Sequence, residues 1–251
     1  MRCSPILVSA AVKQNGLALQ FASRKWKNNY KIVFSAVSQN GEALKYASKG
    51  WKNNYAVVQA AVGSNPVSFE YVSQRLVDDY DLALSAVSRC GEMLEHASAR
   101  LRNVIEIATS AVGQAHRAFR FVSTQLKEDV GVARICVRRA DDIEKGVPLV
   151  HVGDKQKIKN TFVDFLVDQI PNKLWDNEEF VVECLEKFPG VVECLFLEEK
   201  PEAVIKALNC KDLVEKALPR CPSLIKQVSP SLRDNWTIVK IALCQSWLSK
   251  V

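Results

Sequence analysis

Only three histidines, two methionines and ten glycines occur among 251 residues, and no two of the eight cysteines stand as C-x-x-C. These shortages exclude most site chemistries. Zinc needs Cys or His paired on both arms of a loop. A phosphate-cradling loop needs a G-x-G-x-x-G or P-loop run, and a nucleophile needs a base held beside it. None of those spacings is present. The nearest approach to a dyad is His151 with Asp154 or a cysteine, without motif spacing, so the chain reads as no enzyme, with no cofactor and no metal. No apolar run reaches the ~18 residues of a membrane span. Residues 1–12 run straight into a helical pattern rather than a signal-peptide core, so a soluble protein without a Sec signal is expected. The cysteines are scattered as in buried thiols of a reducing compartment, since disulfide frameworks staple much smaller secreted chains.

Acidic residues are scarce at one end. Up to Ala140 there are 19 basic and 10 acidic residues; after it, 15 and 18. Within the first 60 residues, nine Lys and Arg face a single acid, Glu42. That end should attract an anionic surface.

What is abundant is periodicity. Ala-Val recurs every 25 residues, at Ala11-Val12, Ala36-Val37, Ala61-Val62, Ala86-Val87 and Ala111-Val112, and decays at Cys136-Val137. A fixed period of this size marks stacked supersecondary units. In each unit a large apolar residue (Trp26, Trp51, Leu76, Leu101) precedes a capping Asn or Asp. An apolar-periodic run such as Ile32, Val33, Ala36 and Val37 follows, then a turn and a shorter run ending in Ser. Two helices per unit fit this template. Asn15-Gly16 and Asn40-Gly41 suggest a left-handed helix stop, with Asn65-Pro66 substituting once. Ser4-Pro5 suits an opening helix. The five serines Ser23, Ser48, Ser73, Ser98 and Ser123 read better as packing and capping residues than as a modification or ligand ladder. Neither helix pair can bury its apolar face alone, so stacking is obligatory.

Past Ala140 a turn-rich insertion is expected, with an extended piece at 147–152. The template then returns in worn form. Trp175 stands 10 residues before Leu185 and 15 before Gly190, the offsets of Trp26 to Ala36 and Gly41; Asp234-Asn235-Trp236 mirrors Asn53-Asn54-Tyr55. Stepping back 25 residues reaches Ala217-Leu218, Cys221-Pro222 and Ser229. The expected fold is all-α: a right-handed αα-solenoid of about 25-residue two-helix repeats with a degenerate C-terminal half. Its parts are a regular array over 1–140, an irregular insertion and helix over 141–174, and degenerate repeats over 175–251.

The phrases AVKQNGLALQFAS (11–23) and AVSQNGEALKYAS (36–48) resemble the repeats catalogued as domain of unknown function 4116. The resemblance covers residues 6–137 and implies a helical repeat and a secreted-effector context, with cytoplasmic location or delivery into a host cytosol by a non-Sec route. It carries no site residues to transfer. The copies depart from it at Val104, where Asn103 is expected to cap and shift a helix start by about one residue, and at His116 in the glycine position. His96 fills an aromatic slot.

The candidate binding edge is Arg24, Lys25, Lys27, Lys49 and Lys52, whose two clusters recur 25 residues apart. The expected partner is another protein held by a scaffold. The alternative is nucleic acid or an acidic membrane on the basic edge. Against base stacking, Leu76 and Leu101 take the slot of Trp26 and Trp51, which suggests that the indoles are core staples.

Overall fold

The computed structural model describes residues 4–146, 165–166, 168–188, 208–218, 225–226 and 228–248. Among them every regular element is helical. Contacts divide the chain into two compact units, Met1–Leu126 and Lys127–Val251.

In the first unit the repeat is an α-helix followed by a six-residue 3-10 helix. The α-helices are α1 (Pro5–Gln14), α2 (Tyr30–Gln39), α3 (Tyr55–Ser64), α4 (Tyr80–Val87) and α5 (Ile105–Gln114). Each packs on the next, and the 3-10 helices Gly16–Phe21, Gly41–Tyr46, Pro66–Tyr71, Gly91–His96 and His116–Phe121 form a second stacked row. The expected second α-helix is thus a 3-10 helix. Gly41, Ala43, Leu44 and Ala47 are buried on its inner side, while Lys45 is exposed.

Helix starts follow the caps. The side-chain oxygens of Asn29, Asn54 and Asp79 accept from the backbone N–H of Ile32, Val57 and Leu82 at 3.2, 3.2 and 3.0 Å. The helix after Val104 does not shift its start. It begins at Ile105 with no side-chain cap, because the Asn103 oxygen is taken by the Ser123 hydroxyl at 2.5 Å. Pro5 and Pro66 each occupy a first turn as expected, although the Ser4 side chain makes no cap bond.

The expected left-handed stop is corrected. No described residue has positive φ. Asn15, Asn40 and Asn65 are extended. Each closes one helix through its N–H and opens the next by accepting from the N–H two residues on, at 3.0 Å. The glycines serve close approach instead. A Cβ on Gly16, Gly41 or Gly91 would collide with the carbonyl oxygen of Ala36, Ala61 or Ala111 in the following repeat. Each of these N–H groups donates across the same seam, to Gln39 Oε1 (2.5 Å), Ser64 Oγ (3.2 Å) and Gln114 Oε1 (2.7 Å). Pro66 has no N–H to offer. There the facing residue is a donor: Arg89 Nη1 bonds the carbonyls of Val62 (3.0 Å) and Gly63 (2.8 Å), and α4 ends at Val87.

In the second unit α6 spans Val130–Gly146, so helix continues past Ala140 where a turn was expected. The extended piece at 147–152 lies outside the described residues. Next come α7 (Glu178–Lys187), α8 (Lys211–Ala217) and α9 (Trp236–Leu248). Val132, Ala133, Cys136 and Val137 are buried in the same pattern as Phe180, Val181, Cys184 and Leu185, and as Leu213, Val214, Ala217 and Leu218. Asn177 caps α7 through Phe180 N–H at 3.0 Å. That sets Leu174, not Trp175, in the place of Trp26 and corrects the register by one. α6 and α7 lie side by side despite the residues between them: Lys173–Glu128, Arg134–Glu179 and Arg138–Glu183 pair at 2.8, 3.0 and 2.7 Å.

Candidate binding edge

The seam between repeats is what shapes the edge. Ser48, Ser73, Ser98 and Ser123 donate their backbone N–H to the carbonyls of Lys27, Lys52, Val77 and Arg102. Their hydroxyls donate to the side chains of Asn28 (2.8 Å), Asn53 (2.7 Å), Asp78 and Asn103 (2.5 Å). The serine ladder is therefore a row of clips, one to each 25-residue repeat. Each clip pulls the turn before one helix against the end of the next 3-10 helix.

Three of the five sequence-predicted cations meet there. Arg24, Lys27 and Lys49 line a cleft of about 610 Å³ with Asn28, Tyr46 and Ser48. Arg24 and Lys49 are exposed, whereas Lys27 is half-buried and its Nζ donates to the Gln20 carbonyl at 2.7 Å. Lys25 points elsewhere: it lies 5.3 Å from the Trp26 ring and borders an apolar hollow with Leu7 and Phe21. Lys52 and Lys45 share the Tyr71 ring, at 5.8 and 5.7 Å from its centroid. Burial and then the neighbouring Lys45 charge hold the Lys52 ammonium below the ordinary lysine range. Among the described residues no carboxylate lies within 4 Å of any of the five. This part of the edge carries positive charge that the fold itself does not neutralise.

The indoles are not free platforms. Trp26 and Trp51 are half-buried, the Trp51 ring lies 5.5 Å from Tyr30, and its Nε1 is shielded from solvent. Sequence reasoning overlooked a second row on this edge. Tyr30, Tyr55 and Tyr80 open α2, α3 and α4 and are 44%, 39% and 40% exposed; Ile105, opening α5, is 45% exposed. The signal was a Tyr following the capping residue every 25 positions.

His96 closes one 3-10 helix and His116 opens the next, both half-buried. His151 and Asp154 lie outside the described residues. Burial pushes the Cys136 thiol up to about 12 and raises Cys184 further, so both are held protonated. Among the described residues no cluster of three His, Cys, Asp or Glu is placed to hold a metal, and no helix is long and apolar enough to cross a membrane.

The first unit is thus a helical repeat in which a polar clip closes each repeat and whose edge is basic at one end. Residues 6–50, 31–77 and 79–127 match the family described as Domain of unknown function (DUF4116), and the chain belongs to that repeat family across residues 6–127. Neither a curated protein nor a solved structure matches the chain.

Proposed function

We propose that this protein is a non-catalytic scaffold, a right-handed solenoid with degenerate repeats in its C-terminal half, that binds another protein through its loop edge. The observation carrying the reading is the cleft bearing Arg24, Lys27 and Lys49, three cations that no described carboxylate answers. Cations left unpaired by the fold raise the association rate and the specificity of an acidic partner. Stacked repeats supply the long continuous surface such binding uses. The unbridged thiols of Cys90, Cys136, Cys184 and Cys210 fit a reducing cytosol, the cell's own or a host's.

The test is proximity labelling with the full chain beside the triple charge reversal Arg24→Glu, Lys27→Glu, Lys49→Glu. Partners lost on reversal support the reading; an unchanged partner set removes the basic edge as the site. The same cations, paired with no described carboxylate, also favour a second reading, nucleic acid or acidic membrane. A salt titration with single-stranded oligonucleotide and with phosphatidylserine vesicles separates it. A steep loss of binding with salt supports the second reading, and no binding at low ionic strength eliminates it.

A further inference from the structure

Tyr30, Tyr55, Tyr80 and Ile105 occupy one equivalent place, the first residue of four helices that pack each on the next. They therefore form a row along one edge of the first unit, stepped by the distance between packed helices, about 8–10 Å. The row is largely apolar and exposed. Tyr30 is braced by Phe34 and Trp51, each 5.5 Å away between ring centroids. The three phenol hydroxyls hold no partner among the described residues. Tyrosine, with two side-chain torsions to immobilise, is the residue type that binding surfaces favour.

The position after each row member goes from basic to acidic along the row, although Arg102 and the Asp78-paired Arg100 also stand just before Ile105. The residue after each row member is Lys31, then Ala56, then Asp81, then Glu106. Arg24, Lys27 and Lys49 reinforce the positive end. A uniform polyanion would meet repulsion from Asp81 and Glu106 at the far end, and so would fit only part of the row.

A polyproline II segment matches the step. It has three residues per turn and rises about 3.1 Å per residue, so every third side chain lies on one face at intervals of roughly 9 Å. Aromatic-lined surfaces bind this conformation because it is already extended and loses little entropy on docking. We propose that the row Tyr30–Tyr55–Tyr80–Ile105 is the docking site for a proline-rich segment of a partner protein, with proline at every third position. Its acidic end lies toward Lys31 and its basic end toward Asp81 and Glu106. This rests on the protein-binding reading above and names the partner's chemistry.

The experiment is fluorescence anisotropy of the full chain with three labelled synthetic peptides. The first is a proline repeat (Pro-x-x-Pro) with two Glu at one end and two Arg at the other. The second keeps the charges with Gly and Ser in place of Pro. The third is the proline repeat with Arg at both ends. The first should bind tightest, and Tyr55→Ser or Tyr80→Ser should each weaken it about tenfold with an unchanged melting temperature. The inference is overturned if the first peptide does not bind, if the Gly-Ser peptide binds equally, or if both Tyr variants bind as the parent does. It is also overturned if an oligo-dT strand binds in place of the peptide and loses affinity in the Tyr variants. Partners that disappear with the Arg24, Lys27 and Lys49 reversals but persist in both Tyr variants would defeat this inference and leave the scaffold reading standing.

Discussion

The Ser73 hydroxyl donates to the side-chain oxygen of Asn53 at 2.7 Å, joining the end of one 3-10 helix to the turn one repeat earlier. The same pair recurs as Ser48–Asn28 and Ser123–Asn103, so the same polar bond closes one repeat after another in the first unit. Ser73→Ala should cost about 0.5–1.5 kcal/mol of unfolding free energy in a urea titration, leaving peptide and partner binding as in the parent. A loss of binding without loss of stability would return the serines to the list of functional residues.

Gly41 separates two explanations of the Asn-Gly pair. Because a Cβ there strikes the Ala61 carbonyl, Gly41→Ala should destabilise by about 1–3 kcal/mol, and Gly41→Asn at least as much. A left-handed site would instead accept Asn. Gly63, with open space around its would-be Cβ, is the control: Gly63→Ala should be neutral or stabilising by up to about 1 kcal/mol. Thermal melts of the three variants decide it.

Pro66 and Arg89 should behave as a coupled pair. Arg89→Gln removes the donor that meets the Val62 and Gly63 carbonyls, and a Gln oxygen finds no N–H on Pro66 to accept from. Pro66→Gly supplies that N–H. Combining the two changes rebuilds the seam seen at Gly91 and Gln114. A double-mutant cycle should therefore show the double variant more stable than the two single losses imply, by about 0.5–2 kcal/mol.

Acid stability should depend on Asp78. Its carboxylate accepts from the Ser98 hydroxyl and from Arg100, and these hold it below the ordinary value of 3.8. With the folded value depressed, the unfolded chain binds more protons in the window below 3.8, so stability falls as pH drops through that window. Asp78→Asn should flatten this part of the urea-midpoint profile and leave the slope above pH 5 unchanged. An identical acid limb in both proteins would show that the Ser98–Asp78–Arg100 contact contributes nothing.

The repeat was legible because burial follows covalent spacing. The helices α2 to α7 bury the same four positions, so Ile32, Val33, Ala36 and Val37 announce Val57, Val58, Ala61 and Val62. The second helix type was not legible in the same way. Ala43, Leu44 and Ala47 stand at i, i+1 and i+4, an α spacing that Met93, Leu94 and Ala97 repeat, so the sequence pattern suggested an α-helix where the chain forms a 3-10 helix. The basic edge was found only in part, since spacing places Lys25 and Lys27 together while the folded turn sends them to different sides of Trp26.

Composition and order by themselves determined the period, the caps, the apolar stripe and the uneven charge, since each depends on residues near one another along the chain. Only the packed structure decided why Gly stands after Asn, which cations share a cleft, and that the tyrosines after the caps form one row. Those properties arise where separate repeats touch. A carbonyl approaching from the next helix or a hydroxyl reaching back to the previous turn leaves no local pattern until the chain is stacked.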